Sequence, residues 1–306
     1  MRLVFHVGLP KTGTTTYQQE IFSKLPDIAY LGKTKAVIKN QTEPFEILKR
    51  RFIFAITQKD GVEFDKNSTR DIANEILAEL RRYNLTCVWS NEALTTANRA
   101  DRKLVAERLF TYLQPDNLLI SLRDPLTALK SQHHFAVRGG NIKNFCFPSW
   151  VEFGLSRHLD PDWRTIDPRI KQYRYPNLIK SYLTFFPVDT LDIVYLEDFA
   201  TGNPIFAKTI ASCFGLKPSR VGPVCLQAAR EKLNSAPSSD SFFEKFLSNP
   251  NRRYFFANSQ LRLSLAGYSP ANVEKIYTES RSFLMDGFNS LPAKYSNEFV
   301  RLGYIN

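Results

Sequence analysis

The stretch Arg2-Leu3-Val4-Phe5-His6-Val7-Gly8-Leu9-Pro10-Lys11-Thr12-Gly13-Thr14-Thr15-Thr16-Tyr17 decides the fold. Leu3 to Val7 is a short apolar run of strand character that stops at Gly8. Tyr17, Ile21, Phe22 and Leu25 then recur at helical spacing, so Thr15 to Leu25 reads as a helix. Gly8 and Gly13 stand five residues apart, the spacing of a P-loop. In such a loop successive backbone N–H groups and the N-terminus of the following helix form a concave site for phosphate oxygens. A nucleotide-hydrolysing loop continues Gly-Lys-Ser/Thr, its lysine reaching the terminal phosphates and its hydroxyl holding magnesium. Here Thr14 follows Gly13 and the lysine stands earlier, at Lys11. The anion cradle is kept, while the equipment for magnesium-nucleotide chemistry is not evident. An ordinary glycine turn with threonine caps is the bland alternative. Three consecutive β-branched threonines, however, begin a helix poorly unless their hydroxyls and amides are needed.

Working outward, further runs of strand character are Ile28 to Leu31, Leu85 to Ser90, Asn117 to Leu122 and Leu191 to Leu196. Helical patterns cover Asp71 to Tyr83, Arg102 to Leu113, Pro168 to Phe186 and Pro204 to Phe214. Val-, Ile- and Leu-rich strands alternating with amphipathic helices predict an α/β fold, a central parallel sheet covered by helices on both faces. After Phe214 the stretches Lys217 to Pro223 and Asn234 to Asp240 read as loops, and beyond Phe242 the chain reads as helical or irregular. No fresh set of strands follows, so residues 216–306 are expected to form a helical C-terminal cap on the 1–215 core, within one domain spanning 1–306.

Composition sets the outer limits. With 24 Phe, 13 Tyr and 3 Trp in 306 residues, the chain has too much buriable surface for a disordered protein. No run of 18 apolar residues occurs, and the N-terminal apolar stretch is broken by His6 and reaches Gly-Leu-Pro-Lys too early for a signal peptide, which predicts a soluble cytoplasmic protein. Cys87, Cys146, Cys213 and Cys225 lie far apart without metal-ligand spacing and are expected to be buried free thiols. A net charge of +11 admits nucleic acid, an anionic membrane face or a polyanionic small molecule as partner.

A second anion device follows the run Leu118 to Leu122, which ends in Arg123-Asp124-Pro125 with Ser131 eight residues after Arg123. Asp124 suits a helix N-cap and Pro125 the first helical position, so Arg123 stands at the carboxyl end of a strand, where open α/β sheets bind ligands. Ser131 lies about two turns into that helix. An arginine fork and a hydroxyl converging on one anion make a phosphate clamp; pairing of Arg123 with a nearby carboxylate is the bland reading.

Together the two devices resemble the sulfotransferases that use 3′-phosphoadenosine 5′-phosphosulfate (PAPS), most of all bacterial members. The loop Pro10-Lys11-Thr12-Gly13-Thr14-Thr15 matches the family's Pro-Lys-x-Gly-Thr-Thr motif for the 5′-phosphosulfate, and Arg123, Pro125 and Ser131 match its motif for the 3′-phosphate. Tyr195-Leu196-Glu197-Asp198-Phe199 is similar to a Tyr-Glu-Asp-Leu stretch of the family, with a leucine inserted. The resemblance covers roughly residues 1–215 and implies a P-loop nucleotide-hydrolase-like sulfotransferase fold. It implies that Lys11 neutralises the leaving oxygen, that Thr12 to Thr16 hold the 5′-phosphate, that adenosine 3′,5′-bisphosphate is the product and that no metal is required. The late Arg-Lys-Gly segment of animal members is missing; Asn234 and Ser235, in Lys232-Leu233-Asn234-Ser235, lie where a late nucleotide-contacting loop would fall.

Glu92, directly after a central strand, stands where animal members place a catalytic histidine and is the first candidate for general base, with helix capping as its bland reading. His133 and His134, adjacent on the Ser131 helix, are rivals, and only one of them can face a cleft, His134 being the one assigned. Arg138, just before Gly139-Gly140, is a candidate contact for an anionic acceptor. His6 is expected to be a core histidine.

The leading reading is therefore sulfuryl transfer from PAPS to a hydroxyl, or less readily an amine, of a glycan, glycolipid or small alcohol. A P-loop kinase or nucleotide hydrolase is the rival enzyme, since Leu118 to Asp124 imitates a strand ending in a magnesium-binding aspartate. A basic surface for nucleic acid or an anionic membrane is the rival of another class, suggested by Lys49-Arg50-Arg51, Arg81-Arg82 and Arg252-Arg253, which read better as solvated helix faces. Phe145, Phe147, Trp150, Phe153 and Trp163 fall in a stretch, Asn141 to Ile170, that reads as irregular, and core packing is their commoner use.

Overall fold

A computed structural model of the 306-residue chain describes residues 1–32, 43–59, 64–95, 101–138, 146–156, 168–234 and 269–305. Five parallel strands, β1 (Arg2–Gly8), β2 (Ile28–Tyr30), β3 (Thr86–Ser90), β4 (Asn117–Leu122) and β5 (Leu191–Tyr195), form one sheet in the order β2-β3-β1-β4-β5. Register runs Val4 opposite Val88 on one side of β1 and Phe5 opposite Leu118 on the other. The side chains of β4 are buried without exception, as expected of a central parallel strand covered on both faces. From β1 the chain first moves to the β2 side and later, from β3, crosses to β4. The reversal opens a crevice at the carboxyl end of β1, where sheets of this kind take ligands.

The described chain falls into two compact units. The first, Met1–Arg123 with Asn177–Glu231, holds the sheet. Alternation along the strands separates its two cores. Val4, Val88, Leu119 and Val194 pack with Tyr17, Ile21 and Phe22 of the segment after β1 and with Phe206, Ile210 and Phe214 of α10 (Pro204–Phe214). On the opposite face Phe5 and Trp89 lie with ring centroids 4.9 Å apart, and Phe52 of α2 (Glu43–Ile56) covers Trp89 at 6.1 Å. The helix α3 (Lys66–Leu80) is capped by Asp65, whose carboxylate accepts from the amides of Asn67 and Ser68, and α4 (Arg102–Leu113) is capped by Asp101.

The second unit, Asp124–Pro176 with Lys232–Asn306, is helical among its described residues. Its α5 (Pro125–Arg138) packs with α12 (Pro270–Leu284), which also touches α6 (Phe147–Ser156). The helix α13 (Ala293–Arg301) brings Phe299 against Tyr304 and Tyr175.

Several boundaries differ from expectation for identifiable reasons. The helix expected over Pro168 to Phe186 is two, α7 (Pro168–Lys171) and α8 (Tyr175–Leu183). Pro176 explains the break, since proline belongs in a first helical turn. Asn141 to Ile170 is not wholly irregular, because Phe147, Trp150 and Val151 are buried on one face of α6. Lys217 to Pro223 is not a loop. It opens α11 (Pro218–Asn234), which keeps Pro223 because Val221, Cys225, Ala228 and Ala229 bury a continuous face. Here tertiary burial outweighs a residue that disfavours helix by about 3 kcal/mol. The four cysteines are free and buried, and burial pushes the thiol of Cys87 up to about 11 and that of Cys225 to about 12. Among the described residues no helix is long and apolar enough to cross a membrane.

Candidate functional site

The loop between β1 and α1 (Thr14–Thr16) folds against the ends of the neighbouring strands. Lys11 has a φ of 69° and Gly13 a φ of 87°, so two left-handed residues bracket Thr12 and bend the backbone into a nest. The Thr12 hydroxyl donates to the Leu9 carbonyl at 2.7 Å and lies 3.1 Å from Ser121 Oγ on β4, tying the loop to the adjacent strand. A Cβ on Gly8 would stand 2.0 Å from Thr14 Cγ2, and one on Gly13 would stand 2.7 Å from Leu196 Cδ1, so both glycines are fixed by space, and Gly13 by its left-handed conformation as well. Gly13 is the N-cap of α1, and no side chain caps the helix. The bland alternative of threonine caps therefore does not hold: the hydroxyls of Thr12 and Thr14 bond elsewhere. Past Thr16 the helix widens into a π-helical turn over Tyr17–Ile21 and tightens into a 3₁₀ turn over Phe22–Lys24, so the expected regular helix is a composite.

The carboxyl end of β3 meets this loop. Asn91 bonds back to the His6 carbonyl at 3.0 Å, and its side chain caps a 3₁₀ turn over Glu92–Leu94 by accepting from Ala93 N at 2.9 Å. Since Asn91 provides the cap, Glu92 is released from that task. Its carboxylate instead accepts a short hydrogen bond from the Thr14 hydroxyl. Cradle and carboxylate thus stand side by side.

On the other side of β1, Arg123 follows β4, within electrostatic reach of Tyr17. Tyr17 is fully buried, and its ring would lie 3.3 Å from a Cβ on Gly13. Burial raises its phenol well above the ordinary value, helped by Glu197, Cys225 and Asp198, and the Arg123 guanidinium opposes them. The stretch after β5 forms α9 (Leu196–Ala200), where Leu196 abuts Gly13 and buried Asp198 accepts from Asn203 Nδ2 at 2.8 Å. Leu196 is a part of the site that sequence reasoning did not assign; its only signal was insertion into the Tyr-Glu-Asp-Leu pattern.

The first unit thus brings together Pro10, Lys11, Thr12, Gly13, Thr14, Thr15, Thr16, Glu92 and Arg123. Ser131, His134 and Arg138 lie on α5 in the second unit. Asp124 caps α5, its Oδ1 accepting from Thr127 N at 2.8 Å and its Oδ2 pairing with Arg281 at 3.1 Å. A carboxylate so engaged at both oxygens is poorly placed to hold magnesium, which weakens the kinase reading. His133 is fully buried, 5.2 Å from the Trp150 ring and 5.6 Å from Phe147, so these aromatics serve a core. His134 is half-buried, and burial with the charge of Lys130 lowers its pKa below the usual histidine value. The side chains of Arg138, Asn234 and Phe153, and all of Ser235, Phe145 and Trp163, lie outside the described residues. Lys49 is not a solvated cation: it is 2% exposed, pairs with Glu46 at 2.5 Å and donates to the Leu31 carbonyl.

No protein-family model matches the chain, and no curated protein matches it in sequence. Among solved structures it is similar to a crystal structure from Alicyclobacillus acidocaldarius, at 14% identity and a TM-score of 0.49 over 90% of this chain and 99% of that one. It is also similar to mouse SULT7A1 complexed with PAP, at 9% identity and a TM-score of 0.48 over 99% of this chain and 89% of that one. Both are sulfotransferases.

His6 is the expected core histidine. It is fully buried, edge-on to Phe22 at 5.1 Å, with Nδ1 2.7 Å from Ser90 Oγ. Burial lowers its pKa to about 3. The unfolded chain takes up this proton near pH 6.5, whereas the folded one does not until about 3. Stability from this group is therefore complete above pH 6.5 and lost as pH falls below it, at about 1.4 kcal/mol per pH unit. Urea midpoints at pH 7.5 and pH 5 should separate less in His6→Gln than in the natural protein, and equal separations would refute the assignment.

Proposed function

We propose that the chain is a PAPS-dependent sulfotransferase. The observation that carries this reading is the Thr14–Glu92 hydrogen bond, which sets a carboxylate beside an anion-binding loop at the mouth of the sheet. The loop geometry suits a phosphosulfate: left-handed Lys11 and Gly13 form the nest and α1 begins without a side-chain cap.

In the proposed reaction an acceptor oxygen attacks the sulfur in line. The new O–S bond forms as the bond from sulfur to the 5′-phosphate oxygen breaks, and adenosine 3′,5′-bisphosphate leaves. Glu92 accepts the acceptor's proton, one carboxylate oxygen being anchored by Thr14. Lys11 stabilises charge growing on the leaving oxygen, and Thr12 to Thr16 hold the 5′-phosphate. Arg123 and Ser131 take the 3′-phosphate, with Asn234 and Ser235 as further nucleotide contacts. His134, held neutral below the usual histidine range, is the second candidate base. Arg138 is the candidate contact to an anionic acceptor. A hydroxyl of a glycan, glycolipid or small alcohol is the proposed acceptor, and the +11 charge suits an acidic glycan or an anionic membrane face carrying it.

Titration with adenosine 3′,5′-bisphosphate and with magnesium-ATP tests the donor. The bisphosphate should bind clearly more tightly, and preference for ATP would overturn the reading in favour of a kinase or nucleotide hydrolase. Arg123→Ala should weaken bisphosphate binding by about ten- to a hundredfold, the worth of a hydrogen bond to a charged group. An unchanged affinity would reduce Arg123 to a strand terminus.

A further inference from the structure

Behind the loop lies a buried polar cluster that no step above uses. Gln18, 9% exposed, donates from Nε2 to Ser90 Oγ at 2.7 Å. Thr14 and Gln18 are one turn apart on the helix after β1, and Ser90 and Glu92 are two residues apart at the end of β3. The bonds Thr14 to Glu92 and Gln18 to Ser90 are therefore two successive rungs between the same two segments. His6 approaches the same Ser90 oxygen from β1 at 2.7 Å.

The proton inventory is specific. His6 Nε2 is buried with no hydrogen-bond partner among the described residues, so a proton there would be a stranded donor. The neutral ring therefore carries its proton on Nδ1 and donates it to Ser90 Oγ. Ser90 Oγ then accepts from both Gln18 and His6. With both acceptor positions of Ser90 filled, the network favours one arrangement of the strand end.

We infer that Gln18 is a positioning residue: through Ser90 it clamps the mouth of β3 to the first helix and so fixes the distance between the anion cradle and the Glu92 carboxylate. Backbone bonds such as Asn91 N to the His6 carbonyl tie β3 to β1, but the Gln18 rung joins it to the helix that bears the cradle. Displacement of a catalytic group by about 1 Å costs about a hundredfold in rate, so a clamp two residues from the base has a large lever. The catalytic part of this inference rests on the sulfotransferase reading, whereas the clamp does not.

The test uses Gln18→Met, which keeps length and loses the donor, with Ser90→Ala as a second variant that removes the shared oxygen. Amide hydrogen exchange over residues 91–95 should quicken at least about tenfold in both variants. With PAPS as donor and water as acceptor, kcat for bisphosphate release should fall about tenfold or more, while KM for PAPS and bisphosphate affinity stay within about threefold. Unchanged exchange at 91–95, or kcat and bisphosphate affinity falling by the same factor, would overturn the clamp. If the natural protein neither binds nor turns over the donor, the sulfotransferase reading fails, and the exchange measurement alone decides for or against the clamp.

Discussion

Lys11→Ala should lower the proposed sulfuryl transfer by about a hundred- to a thousandfold, the usual effect of deleting one preorganised group aimed at developing charge, and leave the fold intact. The backbone sets Lys11 apart from an ordinary loop lysine. Lys11 sits at a φ of 69°, a conformation that disfavours any L-residue with a Cβ by about 1–2 kcal/mol. Alanine inherits that strain unchanged, so the variant isolates the ammonium group. Lys11→Gly loses the same charge and also relieves the strain, and should unfold at a higher urea concentration than Lys11→Ala while being equally inactive. Turnover by Lys11→Ala at the natural rate would remove Lys11 from the mechanism. Recovery in the glycine variant alone would mean that loop shape, and not charge, limits the reaction.

Gly8→Ala is the second large effect, and its cause is space. The added methyl would lie 2.0 Å from Thr14 Cγ2 and 2.6 Å from Ser121 Oγ, distances no packed structure tolerates. Strand end and helix start must separate. The Thr14 bond to Glu92 and the Thr12 contact with Ser121 then stretch together. Overpacking of this kind destabilises by about 1–3 kcal/mol, and bisphosphate binding should fall below detection, because the amides of the nest lose their common focus. Adding Thr14→Ser removes the obstructing methyl while retaining a hydroxyl for Glu92. The double variant should recover part of both stability and affinity, and a double variant no better than Gly8→Ala would show that the clash is not the cause.

The sheet was readable from local pattern because its strands are buried on both faces and so spell continuous apolar runs; β4 begins and ends where the run Asn117 to Leu122 does. The loop was equally readable, since its glycines and threonines have few bland uses in that order. Partnerships across the chain were not. Gln18 and Ser90 are 72 positions apart and Thr14 and Glu92 are 78 apart, and no periodicity reports on such pairs. Two of the misread helices share a feature: α11 begins with a proline and contains another, and α6 carries Pro148 at its second position. In both, a buried face keeps the proline within a helix.

The central place of β1 sets an order on folding. His6 meets Ser90 84 positions later, and Thr12 meets Ser121 109 positions later. During synthesis the apolar run Leu3 to Val7 must therefore wait, unpaired, until β3 (Thr86–Ser90) has emerged, and its second edge waits longer, for β4. Throughout that interval it is a strand with two open edges, prone to pair with a second copy. Yield of this protein should consequently respond to elongation rate and to chaperones that shield N-terminal segments, more than a chain whose first strand forms a hairpin with its second.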